Sequence, residues 1–403
     1  MLVNNIIRPI YRTLRGTVLQ SLLPCSQAEF NLDRNSAIEV IGFFESFSGI
    51  GESARLCATS LKEAGYKVKC TSVESVFRKK SDAPWVFENA PADTPIGTRI
   101  FHLNPPMMPP VILSMGIKDF RKTFNIGYWA WELSELPKEW VRGIRYMNAI
   151  MTPSDFTSQT IRKYTNKAVE TVLHPVSIDK TTINPDMRAK LEIAQDSLLF
   201  STIFSFGSAM ERKNPEAVIK AFQTAFTPQD NAVLVLKSNS GSPENKAALE
   251  KLFGEHKNIR LCDGFWPRED TQGLIAASDL YISLHRSEGF GLTIAEAMLM
   301  DVPVMVTNWS GNTDFCTKEN AFLVGYNQVP VRSTHPEFKG LGNLTWADAD
   351  VNEAARILQD IKSDRAKLDR MKETVRHSLV EILSRKSYQT ALQRLKDGKE
   401  NKE

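Results

Sequence analysis

Cysteine is scarce in this sequence: five in 403 residues, an odd number, with no two spaced as Cys-x-x-Cys. That count and spacing argue against a disulfide framework and against a zinc site of the usual cysteine spacing, and a reducing cytoplasm is the expected compartment. Long apolar runs are missing as well. No stretch reaches the roughly 18 to 20 uninterrupted apolar residues that a spanning helix needs, so no membrane crossing is expected. At the N-terminus Arg8, Arg12 and Arg15 cut the apolar run and no small-residue cleavage site follows, so this segment reads as retained in the mature chain. An excess of one charge is also lacking. Fifty basic residues against 47 acidic ones leave +3, too little to imply a nucleic-acid partner. With 42% hydrophobic and 24% charged residues the chain is neither disordered nor collagen-like, and its length suits two domains.

What is present, from residue 37 onward, is a series of short β-branched runs alternating with helical periods, the pattern of βα units around a parallel sheet. Strands are predicted over 38–44, 66–73, 99–103, 124–129, 149–152 and 169–173. One helix runs through Glu63 and another over 154–164, where Ser154 can cap it. The periodicity weakens over 177–195, which reads as a linker. Strands then follow over 198–204, 232–236, 259–262, 280–284, 303–306 and 322–324, with helices over 215–226 and 244–253. The stretches 350–361 and 366–395 read as helical. The expected organisation is an N-terminal extension over 1–35, α/β domains over 36–187 and 196–365, and C-terminal helices over 366–403 that return to the first domain. Two consecutive doubly wound halves imply two Rossmann-like sheets facing each other across a cleft, with ligands at the carboxyl ends of the strands.

The most informative segment is Ser287-Glu288-Gly289-Phe290-Gly291-Leu292-Thr293-Ile294-Ala295-Glu296, which follows the 280–284 strand and opens a helix. The backbone N–H groups of Gly289, Phe290, Gly291 and Leu292 are expected to face an anion, with the positive end of the helix dipole behind them. Glycines on both sides of Phe290 let a ligand approach the backbone. Two carboxylates beside a phosphate repel it unless they accept hydrogen bonds from hydroxyls, and a nucleotide-sugar brings both groups. The plainer alternative makes Glu296 a surface helix residue and Glu288 an acid favoured at a helix start.

The spacing Glu288-x7-Glu296 around Gly-Phe-Gly-Leu, followed by Pro303 and by Ser310-Gly311-Asn312, resembles retaining glycosyltransferases of family 4 of the bacterial surface-polysaccharide type. The resemblance implies the GT-B fold, with Glu288 on the donor sugar and Glu296 on the ribose hydroxyls. Upstream, Ser205-Phe-Gly-Ser-Ala-Met-Glu-Arg212-Lys213-Asn214-Pro215 resembles the diphosphate-binding loop of the same family. Lys213 matches the family's lysine, whereas Ser208 stands where the family has arginine, and that charge is assigned to Arg212. A solvated basic pair is the alternative. Lys237, at a strand end, is a further candidate for the phosphates, and Gly264 and Phe265 fall where the family's nucleobase rests.

The first half offers a competing signal. Gly49-Ile-Gly51-Glu-Ser-Ala54 fits G-x-G-x-x-A, and Glu74 lies twenty residues beyond Ala54, as a dinucleotide fingerprint asks. Four residues separate the strand from Gly49, however, which suits a longer loop at the acceptor side of a GT-B enzyme. Trp129 and Trp131 serve acceptor stacking or core packing equally well. His102 is read either as a catalytic contact to a sugar hydroxyl or as a satisfied polar group. Asp348-Ala-Asp350 is a D-x-D, but Asp350-x-x-Glu353 fits a helix capping box, so no metal is assigned.

The expected function is transfer of a hexose from a nucleoside diphosphate sugar to a hydroxyl of a glycan or lipid-linked acceptor, with retained configuration and no cofactor. Glu288, His102 and Lys213 are the expected catalytic groups. An NAD-dependent oxidoreductase using the Gly49 loop and a non-catalytic sugar-nucleotide or glycan binding module are the alternatives. The amphipathic pattern over residues 1–23, with Ile10, Tyr11, Leu14, Val18 and Leu22 beside Arg12 and Arg15, fits either a contact with the inner membrane face or packing on the first domain.

Overall fold

The alternation of strand and helix periods is realised as two six-stranded parallel sheets. The computed structural model describes residues 23, 25–30, 32, 35–81 and 84–400. Except for Leu23, the amphipathic segment read over 1–23 lies outside the described residues. The chain divides into two units: the first takes the described residues up to Trp131, Glu135–Pro175 and Arg385 onward, and the second takes Glu132–Ser134 and Val176–Ser384.

In the first unit β1 (Ala37–Gly42), β2 (Val68–Ser72), β3 (Ile96–Phe101), β4 (Phe124–Tyr128), β5 (Ala149–Thr152) and β6 (Val169–Thr171) lie in the order β2-β1-β3-β4-β5-β6. Every residue of β1 is buried, as a parallel strand covered on both faces requires. The strand order reverses between β1 and β3, so the loops leaving these two strands diverge at a topological switch point. Helix Gly49–Glu63 starts there, capped by Ser48, whose hydroxyl accepts from the Gly51 amide at 3.2 Å. Its Ala54, Cys57 and Leu61 pack in one cluster with Val40 and with Tyr388, Ala391 and Leu392 of the C-terminal helix Tyr388–Glu400.

The second unit has β7 (Leu198–Ile203), β8 (Ala232–Ser238), β9 (Ile259–Asp263), β10 (Leu280–Ser283), β11 (Val304–Thr307) and β12 (Phe322–Val324) in the order β12-β11-β10-β7-β8-β9. Here the order reverses between β7 and β10. Phe222, Leu234, Leu236, Leu280 and Leu358 are fully buried in its core, and burial of each such side chain is worth about 1.5–3 kcal/mol. Among the described residues no helix is long and apolar enough to cross a membrane.

Two expectations are corrected, and one element is new. The 177–195 stretch is not a free linker: Met187, Leu191 and Ile193 pack with Leu199 and Leu274 of the second unit. Two of its charges tie it to the same unit, where Arg188 pairs with Asp279 at 2.8 Å and Lys190 with Asp270 at 2.5 Å. The C-terminal helix is not continuous over 366–395. It breaks between Ala366–Arg385 and Tyr388–Glu400, where the Ser387 hydroxyl accepts from the Thr390 amide and starts a new helix. The antiparallel hairpin of β13 (Tyr326–Pro330) and β14 (Thr345–Ala349) was not expected, because its polar strands alternate weakly and their turn spans fourteen residues, 331–344.

Candidate active site

At the switch point of the second unit the loop after β7 meets the loop after β10. Asn214 makes the junction: it sits in the left-handed region (φ 54°) between helices Met210–Lys213 and Pro215–Ala225, and its side-chain amide donates to Leu284 O at 2.9 Å. The Arg286 amide donates to Arg212 O at 2.7 Å and completes the tie. Arg212 and Lys213 are thereby presented to the Glu288 loop.

The result is a buried charge cluster. Lys213 Nζ donates to Glu288 Oε1. Arg212 Nη1 lies 3.3 Å from Glu288 Oε2 and donates to Ser287 O at 2.8 Å. On its other side Arg212 Nη2 is 3.8 Å from Glu132 Oε1, and the Ser287 hydroxyl donates to the Glu132 carbonyl. Burial opposes ionisation of Glu288, but Lys213 and Arg212 outweigh it and hold its carboxyl down at about 2. Glu132 goes the other way: burial pushes its carboxyl up to about 7 despite the attraction of Arg212. Burial lowers the Lys213 ammonium against the pull of Glu288. Arg212 Nε and Glu132 Oε2 are both shut from solvent without a hydrogen-bond partner, a condition that costs free energy in a site built for stability alone.

The loop that carries Glu288 is clamped from behind. Ser310 Oγ accepts from the Glu288 amide at 2.8 Å, and the Gly311 amide donates to Glu288 O at 2.9 Å. A Cβ on Gly311 would stand 2.3 Å from Gly289 O and 2.8 Å from Glu288 O, so only glycine fits. Gly291 adopts φ 102° as the residue before helix Leu292–Leu299, which lets the chain turn into the helix with its first amides still free of intrahelical partners. His285 is fully buried and bonds Asn312 Oδ1 at 3.0 Å, which fixes the clamp relative to β10.

Other residues singled out in the sequence take varied positions. Phe290 is buried against Phe315, ring centroids 4.9 Å apart, so its side chain packs and only its backbone lines the loop. Glu296, in the same helix, is partly exposed with Arg268 at 3.8 Å. Lys237 is turned inward: its ammonium donates to Ser238 O and Gly264 O at 2.6 Å each and lies over the Trp266 ring. Two of its three ammonium protons are thereby taken by backbone carbonyls, which leaves one for the phosphate contact expected of it. Phe265, next to Gly264, is 66% exposed and presents an aromatic face at the end of β9.

In the first unit Trp129 and Trp131 are fully buried with Trp140, 6.2 and 4.7 Å away between centroids. Of the two readings kept open for them, the structure gives core packing. His102 is at the switch point but closed in: its Nδ1 bonds Ser53 Oγ at 2.7 Å, its ring stacks on Tyr128, and burial holds its pKa well below the usual value. Gly49 and Gly51 lie inside the first turn of a helix rather than in a tight turn before it. Nothing crowds Gly49, whereas a Cβ on Gly51 would meet Phe43 O at 2.5 Å. Glu74 accepts from the Glu45 amide at 2.8 Å and so braces the loop after β1.

The D-x-D pair is engaged elsewhere. Asp348 pairs with Arg286 at 2.8 Å, and Asp350 caps helix Val351–Ser363 through the amides of Asn352 and Glu353. Glu353 does not return to Asp350 as a full capping box would, but accepts from the Gly325 amide.

Residues 186–329, which hold Arg212, Lys213 and Glu288 of this cluster but not Glu132, match the family described as Glycosyl transferases group 1. The chain carries a glycosyltransferase domain, and its fold is GT-B. Sucrose-phosphate synthase (tll1590) from Thermosynechococcus elongatus is similar in structure, with a TM-score of 0.63 at 14% identity over 91% of this chain and 98% of that one. A glycosyltransferase from Rickettsia africae ESF-5 gives 0.61 at 14% identity over 89% and 96%. Anabaena Alr3699/HepE in complex with UDP-glucose gives 0.60 at 14% identity over 91% and 99%. These likenesses are likenesses of fold. No curated protein sequence matches this glycosyltransferase. Glu132 is the site residue that sequence reasoning missed. Its signal was a lone acid directly after the Trp129-Ala-Trp131 strand end, overshadowed there by the aromatics.

Proposed function

We propose that this glycosyltransferase moves a hexose from a nucleoside diphosphate sugar to a hydroxyl of a glycan or lipid-linked acceptor, with retention of configuration, in bacterial surface-polysaccharide assembly. The observation that carries the donor part is the Arg212–Lys213–Glu288 cluster at the β7/β10 switch point, inside the matched domain. Two adjacent cations with little exposure to water supply charge-assisted bonds for a leaving diphosphate, so negative charge developing there is met by groups already in place. Glu288 then exchanges its cations for the donor: with Lys213 and Arg212 drawn to the diphosphate, its carboxylate accepts from sugar hydroxyls. Alr3699/HepE, which shares this fold, is described in complex with UDP-glucose, and a donor of that chemistry fits the two cations. The first unit is left for the acceptor, with the exposed, uncrowded Gly49 at the start of the helix that follows β1.

Glu296 is assigned to the ribose hydroxyls. Glu296→Ala is expected to weaken binding of the nucleotide-sugar by about 1.5–3 kcal/mol, the usual value of a hydrogen bond to a charged group. Isothermal titration decides this, and unchanged affinity in the folded variant removes Glu296 from the site. Transfer is further expected to survive EDTA, because Asp348 and Asp350 are committed to Arg286 and to the helix cap. Activity lost in EDTA and restored by magnesium or manganese would overturn that assignment.

A further inference from the structure

Within the second unit Glu132 is set apart from Glu288 by its contacts. Glu288 has Lys213 on one oxygen and Arg212 on the other, with its backbone clamped by Ser310 and Gly311. Glu132 touches Arg212 only at 3.8 Å, and its second oxygen, sealed from solvent, has no partner. The four groups sum to zero: Arg212 and Lys213 against Glu288 and Glu132. A bound sugar diphosphate adds two negative charges to a site with little water to screen them. The least costly relief is protonation of the carboxylate that has the weakest hold on a cation.

We propose that Glu132 takes up a proton when an anionic diphosphate occupies Arg212 and Lys213, and that it thereby positions Arg212 for the donor and couples donor binding to pH. The inference rests on the donor reading given above. Once neutral, Glu132 offers an O–H at the formerly unpartnered oxygen and no longer repels the diphosphate. The charged groups that face Glu132 are Arg212 and Lys213 from helix Met210–Lys213, Glu288 from the loop after β10, and Glu337 from the 331–344 turn. His285, behind Glu288, is held below its usual value by burial and stays neutral near pH 7. Glu288 itself, at about 2, does not titrate in this range, while Glu132, at about 7, does.

The sign follows by linkage. In the free protein Glu132 is increasingly ionised above about pH 7, so donor binding takes up a proton there and weakens as pH rises, by up to about fivefold between pH 7 and 8. The full-length protein is titrated calorimetrically with UDP-, GDP-, ADP- and TDP-glucose, whose diphosphate diesters have no proton to exchange near neutrality. Titrations are run in Tris and in HEPES, which differ in ionisation heat. The expected result for whichever sugar binds is uptake approaching one proton at about pH 8 and little at about pH 6. Glu132→Gln should bind with no pH dependence and no buffer-dependent heat. That variant should also be more thermally stable than the wild type at about pH 8 but not at about pH 4, because a raised carboxyl pKa destabilises the fold only above the unfolded value. Binding without proton uptake in the wild type would overturn the role of Glu132 and leave the donor reading standing. Should none of the four sugars bind, the donor reading falls and this inference with it.

Discussion

Replacing Lys213 by alanine should lower kcat/KM by about 100- to 1000-fold while leaving the far-ultraviolet circular dichroism unchanged. One charge-assisted bond to the diphosphate, about 1.5–3 kcal/mol, accounts for the lower part of that range. The remainder comes from Glu288. Its oxygens are shared between Lys213 and Arg212, so loss of the ammonium leaves a buried carboxylate half compensated and facing an incoming diphosphate. A buried charge whose partner is removed is strongly unfavourable, commonly by about 3–5 kcal/mol when fully desolvated. The two terms are separable. If repulsion by Glu288 contributes, adding Glu288→Gln to Lys213→Ala should restore part of the nucleotide-sugar affinity, although Glu288→Gln alone should reduce transfer. Such coupling between neighbours is what a double-mutant cycle measures. Additive losses would mean that the two side chains do not act on the same ligand.

Gly311→Ala should be nearly as damaging by an unrelated route. The new methyl would press on Gly289 O, Gly289 C and Glu288 O at 2.3, 2.5 and 2.8 Å, all of them backbone atoms that no rotamer change can move. Either the Glu288 loop is displaced or the fold loses about 3 kcal/mol or more, as overpacked cores do. The expected outcome is a clear drop in melting temperature together with loss of donor binding. Gly49→Ala is the control of similar size, since nothing lies within 4 Å of its added methyl. A stable, active Gly311→Ala would show that the clamp does not position Glu288.

How far the sequence could be read depends on whether a feature is local. The parallel sheets were legible because their buried strands, such as Ala232-Val-Leu-Val-Leu236, are continuous apolar runs between helical periods, and burial on both faces demands that. The Glu288 loop was legible because glycine, phenylalanine and two acids at fixed spacing are a local pattern. What escaped depends on partners far along the chain. Lys237 looks like a free strand-end cation until β9 brings Gly264 O to it. Glu132 looks like an unremarkable acid until Arg212, eighty residues on, arrives at its side. The 177–195 stretch lacks periodicity, yet Met187 and Ile193 are anchors that only the folded second unit reveals. Trp129 and Trp131 were ambiguous for the reason that aromatics always are: the same ring serves a core and a sugar face.

The central claim is that the cluster after β7 and β10 holds a nucleoside diphosphate sugar. Its most direct measurement is the thermal shift of the full-length protein with UDP-, GDP-, ADP- and TDP-sugars and with NAD(H), repeated on Lys213→Ala, since a ligand that binds the native state raises its melting temperature by mass action. The account predicts that at least one nucleoside diphosphate sugar stabilises the wild type, that this shift is lost in Lys213→Ala, and that NAD(H) has no effect. Stabilisation by NAD(H) with none by any nucleoside diphosphate sugar would contradict it.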